Sequence, residues 1–237
     1  IIILISFPLR KKIFPKFNFL ISFKIFLLLL SLKPETLILA YPISSEVKAK
    51  RLEKIIKIFP ETKFYTIISN TFHFDLVKDI VNLDGIYIDL DTGMNRTGIS
   101  KENIPNLIDY ISSNNYKKLK GIHAYDGQTY GIVSVEDRVI NTQKTLKDIR
   151  EVEKKIKEKL SVDDFEIIVG GSWSFHFYIE EKDIKLSPGT WIYWDISNIK
   201  QKELPFQIAG VVLGQVIDQN NSNDTVTIDI GAKAVSS

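Results

Sequence analysis

The sequence has no cysteine, one methionine and only three histidines among 237 residues. Without cysteine, a disulfide framework, a thiolate nucleophile and cysteine-ligated zinc are all excluded within these residues. His73, His123 and His176 are scattered and in no H-x-x-H or H-E-x-x-H spacing, so no self-contained imidazole metal site is expected. Acid is missing from residues 1–33, which carry Arg10, Lys11, Lys12, Lys16, Lys24 and Lys33. The rest of the chain therefore holds 25 basic against 29 acidic groups, and its body is mildly acidic although the net charge is +2. No basic stripe remains there to track a phosphate backbone, so nucleic acid is not the expected partner. Long apolar runs are also scarce. The stretch Ile25 to Leu30 is too short to span a bilayer, and Asn18 and Lys24 interrupt its longer version. What is present, 44% apolar, 25% charged and 11% aromatic residues, is the composition of a soluble globular chain with a sizeable core.

The head, residues 1–33, is a low-complexity mixture of Ile, Leu, Phe, Lys and Ser that begins with Ile. It reads as a targeting segment, with Arg10 to Lys16 as a positive region before an apolar one, as sequence foreign to the fold, or as folded structure. The expected division is a non-native or targeting-like head (1–33), a partial barrel (34–204) and the start of a C-terminal β domain (205–237). A cytoplasmic location is expected of the body.

After Pro34, short β-branched runs alternate with amphipathic stretches, the pattern of βα units around a parallel sheet. Leu37 to Ile43 reads as a buried strand. Ser44 and Ser45 are N-cap candidates for a helix carrying Val47, Leu52, Ile55 and Ile56. Strand Lys63 to Ser69 precedes a short helix near Asp75 to Val81, and strand Gly85 to Leu90 a helix around Ile104 to Ser112. Strand Leu119 to Tyr125 leads to a long helix with an apolar stripe of Val135, Val139, Leu146, Ile149, Val152, Ile156 and Leu160. Strands Phe165 to Val169 and Ile184 to Tyr193 follow, the latter broken by Pro188-Gly189. Six such strands imply an α/β, TIM-like (β/α)8 barrel lacking its first two βα units. Phe206 to Asp218 and Thr225 to Ile230, joined by a polar turn, read as the start of an antiparallel β domain. The chain is expected to be an incomplete and inactive piece of a longer protein.

In such a barrel the chemistry lies at the C-terminal strand ends. After the third strand, Gly93 and Gly98 bracket Arg96 in DTGMNRTG, bringing backbone and one guanidinium near an anionic ligand. After the fourth, Tyr125 is placed to stack on or hydrogen-bond to a planar ligand, or to be a core tyrosine. His123, deeper in the strand, reads as structural, and Asp126 as a turn residue. After the fifth, Gly170-Gly171-Ser172 offers amides and a hydroxyl as an anion nest, which Gly189 and Thr190 could complete. Trp173, Trp191 and Trp194 read as rim packing.

The ordered motifs DTGMNRTG, GIHAYDG, VGGS, SPGTWIYWD and TVTIDIGAKAVSS resemble the pyridoxal-phosphate enzymes of the alanine racemase-like fold (fold type III). They are most similar to the D-threonine aldolase and D-serine dehydratase family, over residues 37–237. The resemblance implies that Arg96 contacts the phenolic oxygen of pyridoxal phosphate and Tyr125 its ring, while Gly170, Gly171, Ser172, Gly189 and Thr190 hold the phosphate. It implies a lyase acting on a small-molecule D-β-hydroxy amino acid, by retro-aldol cleavage or dehydration. A racemase on the same scaffold, a non-catalytic pyridoxal-phosphate-binding pseudoenzyme, and an unrelated phosphosugar barrel that uses Gly170 to Ser172 for its substrate are the alternatives, and a homodimer is one arrangement open to it. The family's cofactor-bearing lysine stands in a Pro-His-x-Lys context that is absent here, so that role goes to none of Lys11, Lys12, Lys16, Lys24 or Lys33. The divalent metal of the intact family member is held by a His with an Asp or Cys whose counterparts are absent from this chain, so no metal ligand is assigned.

Overall fold

The structure, a computed structural model, describes residues 3–6, 32–162 and 164–231. Its sheet is laid down in chain order. Strands β1 (Ile3–Ser6), β2 (Thr36–Leu39), β3 (Lys63–Ile68), β4 (Gly85–Asp89), β5 (Leu119–Ala124), β6 (Glu166–Val169) and β7 (Ile184–Leu186) neighbour one another in sequence order. β2 to β7 pair parallel throughout, and the strictly sequential order is that of a curling barrel wall, not of a doubly wound sheet. β1 pairs antiparallel with β2, a contact that the head's composition does not signal.

Helices α1 (Glu46–Ile58), α2 (Thr71–Val77), α3 (Ile104–Ser113) and α4 (Val135–Lys159) connect the strands. α1 starts where Ser45 accepts the Lys48 N–H at 3.4 Å, and it buries Ala49, Leu52 and Ile56. Val47 lies on its solvent side instead. α2 begins four residues earlier than the apolar spacing implies, because Asn70 caps it by accepting the His73 N–H at 2.8 Å. A 3-10 turn over Lys101–Asn103 leads into α3, whose first turn admits Pro105 since no intrahelical partner is lost there.

The expected apolar stripe of α4 holds only in its second half. Ile149, Val152 and Ile156 are buried against the sheet, whereas the buried residues of the first half are Arg138, Thr142 and Thr145. A helix that follows a barrel strand starts level with the strand-end loops, so this half meets loop carbonyls and hydroxyls, and its buried face is polar accordingly.

β7 stops at Leu186 because Pro188 has no N–H to offer, and Thr190–Ile192 forms a 3-10 turn. The division into two compact units falls after Trp191. Among the described residues of the second unit, Val216–Asn220 (β8) and Thr225–Ile228 (β9) pair as an antiparallel ribbon. The longer strand expected from Phe206 does not form, since Gly210 and Gly214 interrupt its first part. Trp194 packs edge-on against Phe206 in the same unit.

Among the described residues, no helix is long and apolar enough to cross a membrane.

Candidate functional site

The loop after β4 is folded back on itself. Asp91 Oδ1 accepts the N–H groups of Gly93 and Asn95 at 2.9 and 3.1 Å, and Ile99 returns to bridge Leu90. Gly98 is required at the closing point: its φ is +111°, and a β-carbon there would lie 2.5 Å from the Asp91 nitrogen. The closed loop holds Arg96 with its guanidinium carbon 4.8 Å from the centre of the Tyr125 ring, within cation–π range. Gln128 secures the loop from below, donating to the Thr92 carbonyl at 2.9 Å and to Thr145 of α4 at 3.2 Å.

Tyr125 follows β5 and is half-buried. Its ring lies against two glycines. A β-carbon on Gly127 would be 2.6 Å from the ring, so a side chain there would displace it, and one on Gly171 would lie 3.2 Å away, a tight contact. Burial pushes the Tyr125 hydroxyl pKa up, partly offset by the Arg96 charge, with Asp126 adding to the rise.

Beyond β6 the structure brings Ser172 and Thr190 together. Ser172 Oγ accepts from Thr190 Oγ1 at 3.0 Å and from the Trp191 amide at 3.1 Å, so the loops after β6 and β7 converge on one hydroxyl. Gly189 precedes Thr190 on that segment, and Gly170 turns the chain out of β6 with a φ of +97°. The Gly171 amide faces inward. It donates to Asp126 Oδ1 at 2.8 Å and to Ser174 Oγ at 3.0 Å. Asp126 is therefore no simple turn residue. It is fully buried and also accepts from Ser174 Oγ at 2.7 Å and from the Tyr178 hydroxyl at 2.8 Å. Burial raises its carboxyl pKa, against the pull of these hydrogen bonds. Trp173 is buried as rim packing, and under it lies the fully buried Arg138, which donates to the Trp173 carbonyl at 3.3 Å.

His123 is buried too, but in a polar pair. Its Nδ1 lies 2.7 Å from Asp89 Oδ1, and the other Asp89 oxygen accepts from Thr97 at 2.9 Å. Asp89 and Thr97 were not singled out by their sequence context. The available signal was the period-2 alternation that puts Asp89 on the same sheet face as His123, in register across β4 and β5.

Pyridoxal phosphate can be weighed against this geometry. The convergent hydroxyls of Ser172 and Thr190, the glycine-lined Tyr125 ring and the Arg96 guanidinium fit its anionic end and its planar ring. For the covalent step there is no assigned lysine. Lys11, Lys12, Lys16 and Lys24 lie outside the described residues, and Lys33 is exposed beside Glu61 at 3.6 Å. Among the described residues, no three His, Asp or Glu side chains converge as a metal site would require.

No family model and no curated protein matches the sequence. Solved structures do match the fold. D-threonine aldolase from Filomicrobium marinum superposes with a TM-score of 0.72 at 13% identity, over 84% of this chain and 55% of that one. An Ala racemase-like protein from Idiomarina loihiensis gives 0.71 at 18% identity, over 84% and 53%. D-threo-3-hydroxyaspartate dehydratase from Delftia sp. HT23 gives 0.74 at 14% identity, over 91% and 58%. The fold is that of the alanine racemase-like barrel. This chain spans a little over half the length of each of these structures. In the alanine racemase-like fold the six parallel strands form a partial barrel wall, and Arg96, Tyr125, Ser172 and Thr190 all follow its strands at one end.

Proposed function

We propose that this chain is the cofactor-binding part of a pyridoxal-phosphate lyase acting on D-β-hydroxy amino acids, of the D-threonine aldolase or D-serine dehydratase type. One observation carries the reading. The Tyr125 ring, under the Arg96 guanidinium, abuts Gly171, the residue next to Ser172, so a ring contact and an anion contact sit side by side. Ser172 and Thr190 would hold the phosphate by charge-assisted hydrogen bonds. Arg96 would face the phenolic oxygen, and Tyr125 would support the ring. When bound, pyridoxal phosphate supplies an electron sink for bonds broken at Cα. Asp89 fixes the orientation of His123, two residues before Tyr125, and Asp91 keeps the Arg96 loop closed, so the cation stays over the ring.

A second reading, a pyridoxal-phosphate binder without turnover, is favoured by Lys33, whose exposed amine pairs with Glu61. Binding is tested by titrating the chain with pyridoxal phosphate and with pyridoxal, following tryptophan fluorescence. The phosphate form should bind more tightly, and Ser172→Ala should weaken it by roughly 10- to 100-fold while leaving pyridoxal unaffected. Equal affinity for the two compounds would end the cofactor reading. Borohydride reduction with peptide mapping then separates the two readings, since one stoichiometric pyridoxyl-lysine supports the lyase and its absence the binder.

A further inference from the structure

We propose that Asp126 is a positioning residue, a buried carboxyl group that sets the phosphate cup before any ligand arrives. The inference rests on the cup reading above and goes beyond it, since it concerns a group that the ligand never touches. Asp126 sits between Tyr125 and Gly127 at the end of β5, and its carboxylate is fully buried. One oxygen accepts from the Gly171 amide and Ser174 Oγ, and the other accepts from the Tyr178 hydroxyl. All three donors belong to the segment after β6, so one carboxylate joins the ring side of the site to its anion side.

The geometry leaves the Gly171 amide no freedom to turn outward, because its two acceptors both lie inside the protein. Ser172 is the next residue, and its hydroxyl position relative to the Tyr125 ring therefore follows from the Asp126 bonds. Hydrogen bonds in a water-excluded position are electrostatically stronger than in water, and these, made within the protein, persist without ligand. A cup held in this way loses little conformational freedom on binding, which is where preorganisation contributes affinity. The same bonds do not touch the ring-facing surface of Tyr125 or the Arg96 loop. Loss of Asp126 should thus be felt more by the phosphate than by the ring, which Gly171 also borders.

The experiment compares pyridoxal phosphate with pyridoxal on the whole chain carrying Asp126→Ala, Asp126→Asn, Tyr178→Phe or Ser172→Ala. Asp126→Ala should weaken pyridoxal phosphate by about tenfold or more and pyridoxal by less than about twofold. Asp126→Asn keeps an oxygen for the Gly171 amide and should recover most of that loss. Tyr178→Phe removes one donor and should give a smaller loss of the same phosphate-specific kind, which keeps the test open if Asp126→Ala does not fold. Without ligand, amide hydrogen exchange over 171–174 should quicken in Asp126→Ala while that of Ile167–Val169 stays unchanged. Equal weakening of both compounds, no weakening, or exchange that quickens in β6 as well would overturn the positioning role. If Ser172→Ala itself shows no phosphate-specific loss, the cup reading fails instead, and the exchange measurement still decides what Asp126 does.

Discussion

The two faces of the parallel sheet are built on different physics. On the face turned to the helices, Leu37, Phe64, Ile68, Ile88, Ile122 and Ile167 are each at most 1% exposed, an apolar layer in which any well-fitting hydrocarbon would serve. On the opposite face, Ile38, Ala40, Ile67, Tyr87 and Ile168 cluster with Tyr65, and this patch gives way to paired polar groups. Tyr87 donates to Glu166 at 2.7 Å, Lys185 reaches Glu166 at 2.8 Å, and Asp89 holds His123. The Tyr87 to Glu166 bond passes over β5 through Gly121, which lies in register between them and has no side chain to obstruct it. One face is thus stabilised by area removed from water, and the other by correct register among specific partners.

The contrast predicts an order of damage. Phe64→Ala should cost the most, about 3–5 kcal/mol, since the ring is fully buried on the helix face and leaves a cavity. Urea unfolding should show a lower midpoint with little change in slope, and a loss under about 1 kcal/mol would mean that this layer is not the main source of stability. Gly121→Ala comes next, at about 2–3 kcal/mol. Its β-carbon would strike the Glu166 backbone, and either β5 and β6 shift apart or the strand moves. Asp89→Ala should follow at about 1–3 kcal/mol by leaving His123 and Thr97 without their acceptor. A double-mutant cycle with His123→Ala should return a coupling above about 0.5 kcal/mol, and additivity would show that the pair does not act as a unit.

The same contrast explains what could be read from the sequence. The helix face announces itself locally, so strands β3 to β6, the Ser45 cap and the buried Leu52 and Ile56 follow from residue type and spacing. The Arg96, Tyr125, Ser172 and Thr190 positions follow from strand ends and loop glycines. The polar pairs do not announce themselves, because Asp89 and His123, or Asp126 and Gly171, are 34 and 45 residues apart and meet only once register is set. The start of α2 at Asn70 shows the reverse case, a local capping signal that outweighs apolar spacing. The polar half of α4 was hidden for a further reason: Arg138, Thr142 and Thr145 look like a solvated face until the loops they pack against are known.

The smallest effect expected is also the one that separates the faces by chemistry. Burial alone would raise the Glu166 carboxyl pKa, but the hydrogen bonds from Lys185 and Tyr87, with the Lys185 and Lys120 charges, outweigh it and hold the group below its ordinary value of 4.5. A carboxyl with a depressed folded pKa contributes stability that is present above the unfolded pKa and is lost as pH falls through the folded one. Glu166→Gln should therefore destabilise the chain at neutral pH, by under about 1 kcal/mol because the group is only partly buried and solvent screens the pair. The gap between wild type and variant should close as the pH is lowered below the ordinary glutamate range. Phe64→Ala, which removes no charge, should keep the same deficit across that range. Urea midpoints measured from neutral pH down into that acidic range would decide it. If the Glu166→Gln gap stayed constant or widened on acidification, the inner face would owe its stability to packing as the outer one does, and the contrast between them would fall.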